Sequence, residues 1–318
     1  MMPSGKRQEK TALHIRNKNR ERYDLPALIQ AVPELESHVR PNKYGAASID
    51  FSDPRAVKLL NTALLHHYYG IHHWSFPDGN LCPPIPGRAD YLHHIADLLG
   101  ESNQGDIPLG ENITCLDVGV GASCIYPIIG VVEYGWSFIG SDSDPKSIAS
   151  AGQIVEANAA LKGKVECRLQ KNPRFIFQTI WPATDKIDAV ICNPPFHASL
   201  EDAQKGTKRK IKNLSGKKTN IPQLNFSGLF SELIYEGGEL KFIQNMIWES
   251  RKYAKNCFWF TTLVSKKSHL KGIYKLLEKV EAKQIKTIPM GTGNKQSRIV
   301  AWTFLSEQAQ AAWVTARW

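Results

Sequence analysis

From residue 113 onward, apolar residues fall in short unbroken runs separated by polar, glycine-bearing or helix-like stretches. Runs at 113–118, 137–140, Val165, Ile187–Cys192, 258–264, Ile285 and 299–304 read as strands, because a short apolar run closed by turn residues fits a strand covered on both faces. Helical stretches alternate with them, notably Ile125–Tyr134 and a segment opening at Pro145. That alternation predicts an α/β fold on a mainly parallel sheet. Only 289–298 separates the last two runs, too little for a helical crossover, so they are expected to form an antiparallel hairpin. Upstream, 1–22 reads as a flexible tail and 23–100 as a mostly helical region. The main domain is expected to fill 101–318, with an inserted loop at about 199–230.

Two strand ends carry nucleotide-binding features. The run 113–118 passes through Gly119-Val120-Gly121-Ala122-Ser123-Cys124 into the helix: strand, glycine turn, helix. Without β-carbons, Gly119 and Gly121 permit a tight turn and close approach of a ligand to the backbone. The next strand ends in Ser141-Asp142-Ser143-Asp144-Pro145, at the distance where such folds keep a ribose-binding carboxylate. Asp144, just before Pro145, suits the helix cap and leaves Asp142 for the ribose. A third glycine is missing, which favours S-adenosylmethionine over a dinucleotide.

The run Ile187–Cys192 ends in Asn193-Pro194-Pro195-Phe196. Neither proline can donate a ladder hydrogen bond, and each restricts its predecessor, so the strand stops abruptly with carbonyls facing a cleft. An adenine 6-amino group has two N–H donors and a lone pair delocalised into the ring. The Asn193 side-chain oxygen and the Pro194 carbonyl can accept both hydrogens, which aims the nitrogen at a methyl donor, and Phe196 offers a ring for stacking. The bland alternative is a strand-ending turn, which such composition often makes.

These motifs, Asp117-x-Gly119-x-Gly121, Asp142 and Asn193 to Phe196, together resemble the class I S-adenosylmethionine-dependent methyltransferases. The resemblance narrows in Leu81-Cys82-Pro83-Pro84-Ile85-Pro86-Gly87-Arg88-Ala89-Asp90-Tyr91, in Gly119 to Pro127, and in Cys192 to His197. Those blocks look like the ribosomal RNA large subunit methyltransferase F family, over about Asn19 to Phe304. The family implies a Rossmann-like fold, with a seven-stranded sheet ending in an antiparallel hairpin. It also implies methyl transfer from S-adenosylmethionine to the 6-amino group of one adenine in 23S rRNA. On matching positions, Arg88 would reach the donor's carboxylate; Asp117, Gly119 and Gly121 would hold its methionine end, Asp142 its ribose, and Asn193 to Phe196 the target adenine. The strand at 165–169 lacks the terminal Asp often found in class I enzymes, so the contacts to the donor's adenine stay open.

Charge points toward a polyanion. The net charge is +10, and it is concentrated: 1–22 carries seven Lys and Arg against two Glu. Lys205, Lys208, Arg209, Lys210, Lys212, Lys217 and Lys218 follow the Asn-Pro-Pro-Phe site, and Lys295 and Arg298 are expected on the hairpin loop. Solvated loops are the usual meaning of charge runs, but two clusters beside an amine-methylating motif favour RNA. The expected partner is 23S rRNA or a large-subunit assembly intermediate, with the target base unpaired or flipped out.

Other classes fit less well. No apolar run approaches the roughly twenty residues of a membrane span, and the first ten residues are polar, so a cytoplasmic location is expected. The six scattered cysteines form no Cys-x-x-Cys pair, and Cys192 is read as a buried strand residue rather than a nucleophile. His66-His67, His72-His73 and His93-His94 lack a completing ligand set, so packing or RNA contact is expected and no metal. A protein glutamine methyltransferase would use a similar Asn-Pro-Pro-aromatic site, and a non-catalytic RNA-binding module would need a broken donor pocket. The basic clusters oppose the first and the intact motifs the second.

Overall fold

The computed structural model describes residues 13–182, 184–199, 201, 233–292 and 295–318. Its N-terminal part contains α1 (Leu25–Ala31), a hairpin of β1 (Val39–Pro41) and β2 (Ala47–Ile49), α2 (Pro54–Tyr69) and α3 (Ile85–Glu101). Then come β3 (Thr114–Val118), α4 (Ile125–Tyr134), β4 (Ser137–Asp142), α5 (Pro145–Ala157), β5 (Val165–Leu169) and β6 (Ile187–Cys192). The chain continues with α6 (Gly238–Ser250), β7 (Cys257–Val264), α7 (Leu270–Lys279), β8 (Gln284–Thr292), β9 (Lys295–Thr303) and α8 (Glu307–Arg317).

The large sheet has the order β5-β4-β3-β6-β7-β9-β8, parallel from β5 to β7 and antiparallel through β9 and β8. This is the expected Rossmann-like class I methyltransferase sheet with its C-terminal hairpin. Two apolar clusters cover its faces. Strand alternation divides β6 between them: Ala189 and Ile191 join the cluster containing α2, α3 and α4, whereas Val190 and Cys192 join that of α6 and α7. On α7, Ile273 and Leu277 are buried while Lys271 and Lys275 are not, so one stripe packs on the sheet.

Asp188, wholly buried in β6, anchors the C-terminus. It accepts hydrogen bonds from Thr114 N–H at 2.8 Å, the Trp313 and Trp318 indoles at 2.7 Å each, and the Arg317 guanidinium at 3.0 Å. These donors offset the cost of burying its charge.

The hairpin β1–β2 lies within the mostly helical N-terminal region, its three-residue strands too short to leave an alternating pattern. The N-terminal reading needs one correction. The expected flexible tail does not run to Arg22, because polar side chains fasten its latter part to α3. His14 Nε2–H donates to Asp97 Oδ2 at 2.7 Å, Arg16 to Asp97 Oδ1 at 2.7 Å, and Asn17 Nδ2 to the Pro86 carbonyl at 2.8 Å. Lys18 pairs with Glu133 at 2.9 Å. Some of the charge read as free for a polyanion is thus neutralised within the fold.

Candidate active site

Val118 and Cys192 are register partners at the end of the β3–β6 ladder, so Gly119 and Asn193 leave the sheet side by side despite their separation in sequence. The strand order reverses between these two strands, the position where open α/β sheets bind ligands. A cleft of about 310 Å³ lies there. Arg88, Gly119, Gly121, Asp142, Asn193 and Pro195 line it, together with Tyr126, Phe175, Tyr235 and Phe242.

The glycine turn has the required conformation: φ is 82° at Gly119 and 63° at Gly121, left-handed values that L side chains rarely adopt. The N–H groups of Gly119 and Val120 both donate to the Ser141 carbonyl at 2.9 Å, tying the turn to β4. A β-carbon at either glycine would meet no protein atom within 4 Å, so the open space beside the turn is available to a ligand.

Asp142 accepts from Gly121 N–H at 3.0 Å through Oδ2 and from Asp144 N–H at 3.0 Å through Oδ1, and each oxygen keeps a lone pair. Burial pushes its carboxyl above the usual range, against the pull of these backbone bonds. Asp144 caps α5 by accepting from Lys146 and Ser147 N–H, the division of labour expected from the sequence. Asp117 does not line the cleft; it is wholly buried and neither oxygen has a hydrogen-bond partner. Burial first, and then the charge of Asp142, raise its carboxyl well above the ordinary value, while Arg88 opposes the shift. Both causes favour the protonated form, and a nearby cation favours the ionised one.

Arg88 lies in the first turn of α3, with its guanidinium 5.5 Å from the centre of the Tyr126 ring. Asn193 Oδ1 is buried without a hydrogen-bond partner, the state of an acceptor held for an incoming N–H. Pro194 is buried and Pro195 lines the cleft. Phe196 is half-buried and outside the lining, where Tyr235 and Phe242 instead present rings, 5.0 Å apart and edge to face.

The wall beyond β5, where the sequence lacks an acidic residue, consists of Gln170, Pro173, Phe175 and Ile176. The Gln170 side chain is committed to shaping it, donating to the Gln178 carbonyl at 2.7 Å and accepting from Asn172 N–H and Thr179 Oγ1. Glu249 on α6 holds the same loop by accepting the N–H groups of Ile176, Phe177 and Gln178 at 2.7 to 3.0 Å. No periodicity marked these residues: Gln170 bonds within an irregular loop, and the partners of Glu249 are far away in sequence. Tyr126 alone stood within a motif block.

Within the histidine doublets His93 is buried and His66 and His94 are half-buried, whereas His67, His72 and His73 are exposed. His66 Nδ1 hydrogen-bonds the Ala31 carbonyl at 2.7 Å and its ring meets His72 edge-on at 4.1 Å. Among the described residues, His14, His94 and Asp97 come within metal-ligand distance of one another. However, Arg16 N–H donates to His14 Nδ1 at 3.2 Å, which leaves the proton on Nε2, pointing at Asp97. The group is a hydrogen-bonded clamp.

A family profile described as RNA methyltransferase matches residues 7–306. "Ribosomal RNA large subunit methyltransferase F" of Cytophaga hutchinsonii is 57% identical over 309 residues, covering 97% of this chain and 96% of that protein. Its namesake from Serratia proteamaculans is 53% identical, covering 98% and 93%. This chain belongs to the ribosomal RNA large subunit methyltransferase F family. It is an RNA methyltransferase. Among solved structures, the catalytic domain of human METTL16 in complex with MAT2A 3′UTR hairpin 1 superposes with a TM-score of 0.77 at 27% identity, over 93% of this chain and 96% of that one. The N-terminal domain of human METTL16 in complex with SAH has a TM-score of 0.72 at 26% identity, over 92% and 99%.

The basic residues expected to meet the family's RNA fall into two groups. Lys205, Lys208, Arg209, Lys210, Lys212, Lys217 and Lys218 lie outside the described residues. The chain on either side of them is fixed beside the cleft: His197 N–H donates to the Leu233 carbonyl and Tyr235 N–H to the His197 carbonyl, each at 3.0 Å. Lys295 and Arg298 belong to β9 rather than to the hairpin loop, because pairing extends to Thr292 and Lys295 and places Arg298 opposite Pro289 and Val264. Among the described residues, no helix is long and apolar enough to cross a membrane.

Proposed function

We propose that this protein transfers a methyl group from S-adenosylmethionine to the 6-amino group of a specific adenine in 23S rRNA, free or within a large-subunit assembly intermediate, and works in the cytoplasm. The observation that carries the reading is the unpartnered Asn193 Oδ1, on the same cleft as the glycine turn and Asp142. The names of the curated relatives support the ribosomal acceptor, and the METTL16 domain solved with SAH supports the donor.

The residues present fit such a donor. Asp142 has lone pairs left for ribose hydroxyls, the turn at Gly119 and Gly121 opens onto free space, and Arg88 suits a carboxylate. Asp117, buried and unpaired behind the turn rather than on the cleft wall, would favour a donor ammonium through its charge and not by contact. When bound, S-adenosylmethionine supplies a methyl group made electrophilic by its sulfonium.

The protein's own work is positioning. Asn193 Oδ1 and the Pro194 carbonyl accept the two amino hydrogens, which draws the nitrogen lone pair out of the adenine ring and fixes its direction. Aromatic rings at Tyr235 and Phe242, rather than Phe196, offer faces and edges to a base turned out of its helix. The surplus proton leaves to water, and no basic side chain is needed.

Purified protein incubated with labelled donor and either protein-free 23S rRNA, large subunits or total cell protein tests the acceptor. Label in RNA supports the reading and shows which assembly state is used. Label confined to protein overturns it.

A further inference from the structure

The end of β6 is held by a side chain from outside the sheet. The last register pair between β6 and β7 is Val190 with Phe260, so beyond it the ladder no longer supports Cys192 from that side. The Tyr91 hydroxyl, from α3, stands in the gap. Cys192 N–H donates to it at 3.3 Å, and it lies 2.8 Å from Thr261 Oγ1 on β7. Thr261 Oγ1 spends its own proton on the Val190 carbonyl at 2.6 Å, so the Tyr91 proton goes to Thr261 at 2.8 Å in preference to the Cys192 carbonyl, which lies farther off at 3.4 Å. A directed chain results: Cys192 N–H to Tyr91 to Thr261 to Val190 C=O. It begins at the residue before Asn193 and closes back on the same strand.

We infer that Tyr91 is a positioning residue for the amine site, its hydroxyl fixing Cys192 and thereby the direction in which Asn193 leaves the sheet. The inference rests on the proposed role of Asn193 in holding the acceptor amine. Tyr91 is wholly buried and does not line the cleft, so it touches neither reactant and acts through the strand. Its ring packs edge-on against Tyr126 at 5.5 Å, and Arg88 stands one turn earlier on α3. The same helix therefore presents a donor-side residue to the cleft and a brace to the acceptor side, and a shift of α3 would move both together. Bulk at this position needs only a phenyl ring; a hydroxyl in a wholly apolar surround would be costly unless its bonds were used. Here they are all used at the one place where the sheet opens.

The test is Tyr91→Phe in the full-length protein, which keeps the ring and removes only the hydroxyl. The expected result is a fall in kcat of about tenfold or more, because small misplacements of a reacting group cost rates of that order. The Kd for S-adenosylhomocysteine, measured calorimetrically, should stay unchanged. Thr261→Val should reproduce the loss and Thr261→Ser should restore most of it, and the double variant Tyr91→Phe with Thr261→Val should be no slower than either single one. If Tyr91→Phe fails to fold, the Thr261→Val and Thr261→Ser pair carries the test. Unchanged kcat in Tyr91→Phe or Thr261→Val overturns the inference. So does a donor Kd that rises in step with the loss of kcat, which marks general destabilisation of the cleft. Identity of the methylated atom in the wild-type product judges the amine reading, whereas the ratio of variant to wild-type kcat judges Tyr91, so the two fail separately.

Discussion

Gly121 donates its backbone N–H to Asp142 Oδ2 at 3.0 Å, so the glycine turn and the carboxylate at the end of β4 are one unit. Removing the carboxylate releases the turn that faces the cleft and, on the proposed function, also takes away a ribose contact.

Donor binding and turnover should therefore separate by residue. Asp142→Ala should weaken S-adenosylhomocysteine binding by about 1.5–3 kcal/mol, the scale of hydrogen bonds to a charged group. Asn193→Ala should leave that affinity intact and lower turnover by about 10²–10³, as when one transition-state hydrogen-bonding group is lost. Calorimetry and single-turnover rates on both variants check this; loss of binding in Asn193→Ala with binding retained in Asp142→Ala would reverse the assignments.

The turn itself offers a cleaner separation of stability from binding. Gly119 has φ 82° and open space where a β-carbon would stand. Gly119→Ala should cost only about 1–2 kcal/mol of stability, the backbone penalty of a left-handed L residue. Donor affinity should fall much further, since the methyl projects into space reserved for a ligand. Equal losses in both would show that the turn serves folding alone.

Donor affinity should rise with pH. Asp117 is held well above the ordinary carboxylate value, first by burial and then by Asp142. In the unfolded chain it ionises near 3.9, so above that pH the native state binds the extra proton and apo stability falls as pH rises toward the raised value. A donor ammonium bound in the cleft in front of the turn favours the ionised form of Asp117, so binding releases the proton and tightens across that same window. Calorimetry of S-adenosylhomocysteine from about pH 5 to about pH 8 should show the slope in wild type and its loss in Asp117→Asn. A flat wild-type profile contradicts the role given to Asp117.

Far from the cleft, Asp188→Ala should be among the most damaging substitutions. It leaves the Arg317 guanidinium, two indoles and Thr114 N–H without their acceptor. Breaking a buried pair in this way costs about 3–5 kcal/mol, which a denaturant titration will register. A loss within about 0.5 kcal/mol would make the anchoring of α8 superficial.

Much of this architecture was legible in the chain because local chemistry dictated it. Continuous apolar runs pointed to buried strands, the short 289–298 connection to a hairpin, and Asp144 before Pro145 was a better cap than Asp142. The meeting of Gly119 with Asn193 followed from the fold they imply and is realised in the pairing of Val118 with Cys192. What escaped notice depends on distant partners. His14, Arg16 and Asn17 looked like part of a free basic arm because Asp90, Asp97 and Pro86, which hold them, lie on α3. Tyr235 and Phe242 carry no pattern that places them opposite Asn193, and the bracing role of Tyr91 needs Thr261 beside it.

The acceptor role of Asn193 Oδ1 is tested most directly by the identity of the methylated nucleoside. Large-subunit RNA methylated by the wild-type protein and by Asn193→Ala is digested to nucleosides and separated with mass detection. The account predicts 6-methyladenosine from wild type and almost none from Asn193→Ala. A methyl group on a ribose hydroxyl or on a ring atom, formed equally by both proteins, would contradict it.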